Sequence, residues 1–341
     1  MDGSVEILNA FALLSNFVLV PAISYGSQLA LGALGITLVF GVLRFANFAH
    51  GDMMAFGTMF VILITFWLQD AGVSLGPLPT AFLALPFGIL LAVAATLIID
   101  RTTFRFYRQR KVAPVILVVI SVGVMYVLNG LTRFIIGPDD QRFADGARFI
   151  ISARDFKEMT GLDEGITIKL SQGLTVLVAI IVVAALFWFL QRTRTGKAMR
   201  AYSDNEDLAL LSGISPDRVV AVTWIITAVL ATIAGTMYGL DKSFKPFTYF
   251  QLILPMFAAA IVGGIGQPVG AIVGGYVVAF SEVMLTYAFR KFAIYLSPTD
   301  WEPEGLFQIL STEYKFAISF LILVVVLLVR PTGIFRGKVI T

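Results

Sequence analysis

His50 is the one histidine in the chain, standing three residues after Asn47 and two before Asp52. An imidazole beside a carboxylate and an amide could ligate a metal, act as a general base or hold a polar solute. A metal site would need further His or Cys ligands, and the chain has no cysteine and no second histidine. A nucleophilic dyad would need an activated serine, and no G-x-S-x-G motif occurs. Two readings of Asn47, His50 and Asp52 stay open: polar groups that satisfy a broken helix, or contacts to a passing solute. Glu282 poses a similar choice inside the apolar run 268–289. An ionisable residue at membrane depth is a functional candidate by default; the alternative is a hydrogen-bonded helix–helix contact, with Thr286 one turn on. The chain also lacks G-x-x-x-x-G-K-[ST], and Gly333–Val339 is too short and has no hydroxyl, so no P-loop holds ATP here.

The elements that must position these residues are membrane spans. Of 341 residues 58% are hydrophobic and 14% charged, against about 25% charged in soluble domains. The chain is an integral membrane protein. Absence of cysteine excludes a disulfide framework and thiol or zinc-thiolate chemistry. A net charge of +3, with basic residues confined between apolar runs, gives no support for nucleic-acid binding. The start MDGSVEI carries two acids and no base, unlike a cleaved signal peptide.

Apolar segments fall near 17–42, 53–69, 80–99, 113–136, 170–190, 219–239, 252–264, 268–289 and 314–330. A helical span takes about 20 such residues, so 252–264 reads as too short and 53–69 as borderline. Pro21 is expected to divide the first apolar region into a surface-lying lead-in and a true span. The fold class is all-α: one polytopic transmembrane domain over 1–341, with about 8–9 membrane segments including Gly-broken hairpins. Arg101, Arg105, Arg108, Arg110 and Lys111 crowd one loop; Arg192, Arg194, Lys197 and Arg200 crowd another; Arg330, Arg336 and Lys338 follow the last run. Placing these groups in the cytoplasm puts the N-terminus outside, 137–169 and 290–312 outside, and 192–218 inside. The 137–169 loop could form a small external cap, and 290–312, with Pro298, Trp301 and Pro303, a short interfacial helix. Asn129 and Arg133 read as interfacial or interhelical anchors.

Two breaks interrupt the apolar pattern: Asn47–Asp52, and Gly263-Gly264-Ile-Gly266-Gln-Pro-Val-Gly270. Irregular backbone at membrane depth survives only when buried in protein or lining a cavity. In transporters, Gly/Pro-interrupted segments in both halves point to the path. Small residues in Ala30–Gly41 and Gly263–Gly275 also permit close helix packing.

Between two spans lies RTRTGKAMRAYSDNEDLALLSGISPDR, residues 192–218. Ser203 and Glu206 have capping-box spacing before Leu208–Leu211, and Gly213 stands where a left-handed cap falls. Ser215-Pro216-Asp217 opens the next helix. The expectation is a helix of about nine residues, roughly 13 Å long, too short to stand alone in water. Leu208 and Leu211, with Ala209, would seat in a partner's groove, while Asp204, Glu206 and Asp207 meet basic residues there. The alternative is a helix lying on lipid, which favours Lys and Arg on its polar face.

These residues resemble the membrane permease subunits of bacterial branched-chain amino acid ABC importers. The resemblance rests on VFGVLRFANFAHGDM at Val39–Met53, on Thr195-Gly196-Lys-Ala-Met-Arg-Ala201 followed by Asn205, Ala209 and Gly213, on the Gly-rich Ala259–Gly275 followed by Glu282, and on Arg330-Pro-Thr-Gly-Ile-Phe335. It covers nearly the whole chain and implies a multi-pass permease of the bacterial inner membrane. The implied partners are a second, homologous permease, two cytoplasmic ATPase subunits that use ATP and Mg, a periplasmic solute-binding protein and the bilayer. This chain would bind no cofactor and catalyse no reaction. Residues 192–218 become the coupling segment, with Gly196, Ala201, Ser203, Asn205, Glu206, Leu208, Ala209, Leu211 and Gly213 as ATPase-coupling residues. Asn47, His50, Asp52, Gly263, Gly264, Gly266, Gly270 and Glu282 become candidates for the translocation path. The cargo would be a branched-chain amino acid or a related small polar solute such as urea. The rival is an ion-coupled secondary transporter with Glu282 or Asp52 as proton carrier.

Overall fold

Proline sets where several helices begin. Its fixed φ and missing N–H suit the first turn, and Pro114, Pro216, Pro246 and Pro268 each open a helix. The computed structural model describes residues 3–143, 145–297, 305–330 and 332–335. In chain order its helices are α1 (Gly3–Leu14), α2 (Val20–Leu43), α3 (His50–Asp70), α4 (Ala81–Ile99), α5 (Arg105–Gln109), α6 (Pro114–Ile136), α7 (Ala153–Thr160), α8 (Leu170–Arg192), α9 (Arg194–Asp204), α10 (Glu206–Leu211), α11 (Pro216–Asp241), α12 (Pro246–Gly263), α13 (Pro268–Leu285), α14 (Arg290–Leu296) and α15 (Lys315–Val329). A short antiparallel pair, β1 (Phe149–Ile151) with β2 (Ile168–Lys169), completes the 137–169 cap. Among the described residues, nine helical runs are long and apolar enough to cross a membrane.

α2 is the axis of the bundle. Every residue from Ser24 to Leu43 is buried, and α8, α11, α12 and α13 pack around it. A helix apolar on all sides belongs inside a bundle. The outward faces of α4, α6, α8 and α15 stay apolar, with Phe87, Phe134, Ile180 and Leu328 between 60 and 88% exposed. Such faces fit contact with lipid.

Three expectations about span limits change. Pro21 does not divide the first region: α1 runs into α2 through a π-helical turn at Ser15–Leu19, where Val20 N–H bonds Ser15 O. That wider turn accommodates a proline whose absent N–H would otherwise leave a carbonyl stranded. The run 252–264 extends back to Pro246, giving 18 residues, or about 27 Å of helix, because Thr248 and Gln251 interrupt the apolar pattern without breaking the helix. α3 starts at His50, three residues before the apolar run. The expected short helix in 290–312 is α14, seven residues long; Pro298, Trp301, Pro303, Arg336 and Lys338 lie outside the described residues.

Contacts sort the connections to two ends. Arg105 pairs with Asp217 at 2.9 Å, joining the first basic loop to 192–218. At the opposite end Gln141 and Phe244 exchange backbone bonds of 2.8 Å, and Asn9, Lys291 and Tyr295 all reach the 163–164 turn.

Candidate functional site

The segment 192–218 folds as two helices, not one. Thr193 is extended and caps α9, its Oγ1 accepting from Gly196 N at 3.0 Å and donating to Phe189 O at 2.7 Å. Gly196 lies against the backbone of Phe189 and Leu190, leaving no room for a side chain. α9 runs to Asp204; Asn205 then turns extended, and its Oδ1 accepts from Leu208 N at 3.0 Å. The cap is therefore Asn205, and the expected Ser203–Glu206 box does not form. Asn and Ser cap almost equally well, so tertiary partners decide. Ser203 is inside α9 and donates to Gly41 O at 2.9 Å. The Glu206 carboxylate accepts from Tyr202 Oη at 2.6 Å. Burial, with that carboxylate beside it, holds the phenol above its ordinary pKa.

α10 has six residues rather than nine. Gly213, at φ +79°, closes it with Gly213 N to Leu210 O and Ile214 N to Ala209 O, both 3.0 Å, the paired bonds of a left-handed cap. Ala209 faces inward at 3% exposure, so the expected apolar grip lacks it. Leu208, Leu210 and Leu211 stand at 64, 43 and 86%, beside Glu206 and Asp207. Ala201 is exposed on α9.

Both pattern breaks are tied into this end of the bundle. Arg44 ends α2 in the left-handed region, φ +60°, which costs a non-glycine residue about 1–2 kcal/mol. Its guanidinium grips Ser203 O. Thus Ser203 holds the last turn of α2 by two bonds, one from its hydroxyl and one to its carbonyl. Gly41 also faces the Gly-rich hairpin, whose Gly266 Cα would lie 4.0 Å from a Cβ on Gly41. A cleft of about 170 Å³ remains between Gly41, Leu190, Met199, Ser203 and Gly266. Inside the hairpin the Gly263 and Gly270 backbones touch, and Gly264 is covered by Gly333. Ile334 and Phe335 donate to Val262 O and Gly263 O at 2.8 and 3.0 Å.

From Arg44 the chain doubles back into the bundle. His50 packs on Gly35 of α2, its Cε1 2.5 Å from where a Cβ would stand. Gly35 is eight residues above the end of α2, about 12 Å along the helix. His50 is fully buried; the Gly32 backbone faces its ring, and neither ring nitrogen makes a well-aligned hydrogen bond among the described residues. Asn47 Oδ1 accepts from Ala49 N at 3.2 Å, closing the turn that precedes α3. Asp52 Oδ1 accepts from Asn129 Nδ2 at 2.7 Å, making Asn129 an interhelical anchor, while Asp52 Oδ2 is unpaired.

Glu282 lies apart from this cluster, twelve residues along α13 from Gly270, or about 18 Å. Ser319 Oγ of α15 bonds its carboxylate, Lys315 Nζ of α15 is 3.6 Å away, and Tyr25 of α2 also lies against it. Thr286 instead donates to Glu282 O, correcting the expected side-chain contact. Lys315 also sits 3.7 Å over the Tyr25 ring. Removing Lys315 strands a carboxylate that is 0% exposed, whereas Lys315 keeps 26% side-chain access. Lys315→Met is therefore expected to destabilise by about 3 kcal/mol and Glu282→Gln by much less. Thermal melting of the purified protein would order the two; Glu282→Gln as the worse variant would refute the pair's asymmetry.

Sequence reasoning missed Lys315, Leu210 and Arg44, and also Asp100. Asp100 sits in a π-helical turn after α4 and is 7% exposed. It accepts from Arg108 at 2.9 Å and from Trp224 Nε1 at 2.8 Å, fastening the first basic loop to α11. An acid at the border of an apolar run, eight residues before an arginine, was the available signal.

A bundle packed around the buried α2, with nine helical runs of membrane length among the described residues and a Gly-rich hairpin at one end, defines a polytopic membrane protein. Residues 18–327 match the family described as branched-chain amino acid transport system / permease component, and the chain belongs to that family. It is similar to the high-affinity branched-chain amino acid transport system permease protein LivH of Salmonella typhimurium, 30% identical with 92% of each chain covered. BraD of Pseudomonas aeruginosa, with the same description, is 28% identical over 93% of this chain and 94% of its own. The probable branched-chain amino acid transport permease LivH of Methanocaldococcus jannaschii is 29% identical over 94 and 92%. The chain is thus the membrane permease subunit of an ABC importer, a multi-pass protein of the inner membrane.

Proposed function

We propose that this chain supplies half of the path by which branched-chain amino acids, or a closely related small polar solute, enter the cell. A second permease supplies the other half, a periplasmic binding protein delivers the solute, and two ATPase subunits carry the ATP and Mg chemistry that this chain lacks. The relatives' substrates support the cargo. The end rich in Lys and Arg is cytoplasmic, so 192–218 meets the ATPases while 137–169 and 290–312 face outward.

The observation that carries the mechanism is the double grip of Ser203 on Gly41 and Arg44. α10 presents Leu208, Leu210 and Leu211 to the ATPase, and α9 is bonded to the end of α2, which touches the Gly-rich hairpin. A displacement of α9 therefore reaches both breaks at once. Asn47, His50 and Asp52 sit where the first break re-enters the bundle, and Gly263, Gly264, Gly266 and Gly270 let the second break re-pack. Asp52 Oδ2 and the His50 nitrogens are among the buried polar atoms, with Gln28 and Thr37 of α2, that a passing solute or water would meet. Purification of the native complex, followed by leucine uptake in proteoliposomes, tests this reading. ATPase subunits that co-purify and ATP-dependent uptake are expected; uptake by the chain alone, driven by a proton gradient, would replace it with a secondary transporter.

A further inference from the structure

The 137–169 cap roofs a cavity of about 510 Å³ at the end of the bundle opposite α10. Pockets for small ligands span roughly 300–1,000 Å³. The roof is fastened at several points. Gln141 and Phe244 exchange two backbone bonds, Ala147 N donates to Pro77 O at 2.8 Å, and Asp145 Oδ2 accepts from Thr80 N at 2.8 Å. Leu170 N donates to Arg148 O at 3.2 Å, closing the side next to α8.

The lining carries both signs of charge. Arg142, Arg148, Lys169 and Lys242 line it together with Asp145 and Asp241. Among the described residues Arg142 and Lys169 belong to no ion pair, and Lys242 pairs only with its neighbour Asp241, at 3.5 Å. The Asp241 side chain is 2% exposed, yet its Oδ1 has no hydrogen-bond partner; Asp145 Oδ1 has none either. A buried acceptor without a donor costs about 1–3 kcal/mol, and a ligand ammonium would remove that cost. Unpaired cations at the roof would in turn hold a carboxylate. Phe143 and Leu240 supply an apolar wall beside the two.

We propose that this cavity is an outward-facing binding site for a free α-amino acid. Arg142 and Lys169 take its carboxylate, Asp241 its ammonium, and the Phe143–Leu240 wall its side chain. Resting on the proposed import of amino acids, the assignment adds the place where the permease itself first recognises the zwitterion.

The test uses the permease–ATPase complex in nanodiscs, without binding protein, and radiolabelled leucine. Saturable binding is expected, weakened about ten-fold or more in Arg142→Gln/Lys169→Gln and in Asp241→Asn. Leucinol, which lacks the carboxylate, should compete poorly against the wild type, and the Arg142→Gln/Lys169→Gln complex should lose that discrimination. N-acetyl-leucine should behave likewise with Asp241→Asn. Absence of saturable binding, or unchanged affinity and selectivity in Arg142→Gln/Lys169→Gln, would overturn the site; these side chains are exposed or half-buried, so misfolding does not confound them. Leucine uptake by the wild-type complex supplied with binding protein separates the two failures: its loss condemns the proposed function, its persistence only the cavity.

Discussion

Leu208→Asp together with Leu211→Asp is expected to leave the permease folded and inserted, to abolish ATPase co-purification and to lower leucine uptake by about 100-fold or more. Buried apolar anchors at an interface are each worth roughly 2 kcal/mol or more, and two charges in their place remove both. The substitutions do not attack the fold, because the two side chains are 64 and 86% exposed. The helix that presents them is held from behind. Asn205 caps its start, Gly213 its end, and Ala209 packs it inward. Six residues could not remain helical without such support. If α10 instead lay on lipid, acidic substitutions would lift it from the surface, and uptake with bound ATPase would persist. The acids Glu206 and Asp207 beside the leucines already disfavour a lipid surface.

The second large effect falls on the hairpin. Gly263→Val or Gly270→Val is expected to destabilise the protein by about 3 kcal/mol or more, since a Cβ at either position would occupy the backbone of the other. Nothing flexible can yield there. Both contacts are main chain against main chain, and Val262 O and Gly263 O are engaged by Ile334 and Phe335. Thermal melting and gel filtration of the purified variants would read the effect. Gly123→Val and Gly130→Val are the controls, for a Cβ at either meets nothing within 4 Å, and open positions change stability by about 0.5 kcal/mol or less. Equal tolerance of all four substitutions would remove the claim that the hairpin is held by backbone contact.

The number and order of the spans were legible in the sequence because apolar runs of membrane length have few other uses. Their limits were less so. Polar residues such as His50, Asp52, Thr248 and Gln251 extend helices wherever burial in the bundle satisfies them, which hydropathy cannot register. The cap of α10 was misplaced by two residues for the same kind of reason. Ser203 and Asn205 are near equals locally, and the difference is Gly41, 162 residues away in sequence from Ser203. Glu282 was visible as an anomaly inside an apolar run, but its partner Lys315 stands at the edge of another run, and hydropathy does not say which helices lie side by side. The touching glycines were visible as small residues; which backbone each would meet was not.

The proposed grip of α10 on the ATPase is tested most directly by photocrosslinking. With p-benzoylphenylalanine in place of Leu211, irradiated membranes holding the complete complex should yield an adduct of this chain with the ATPase subunit. Adducts confined to lipid, or to the second permease, would contradict the account.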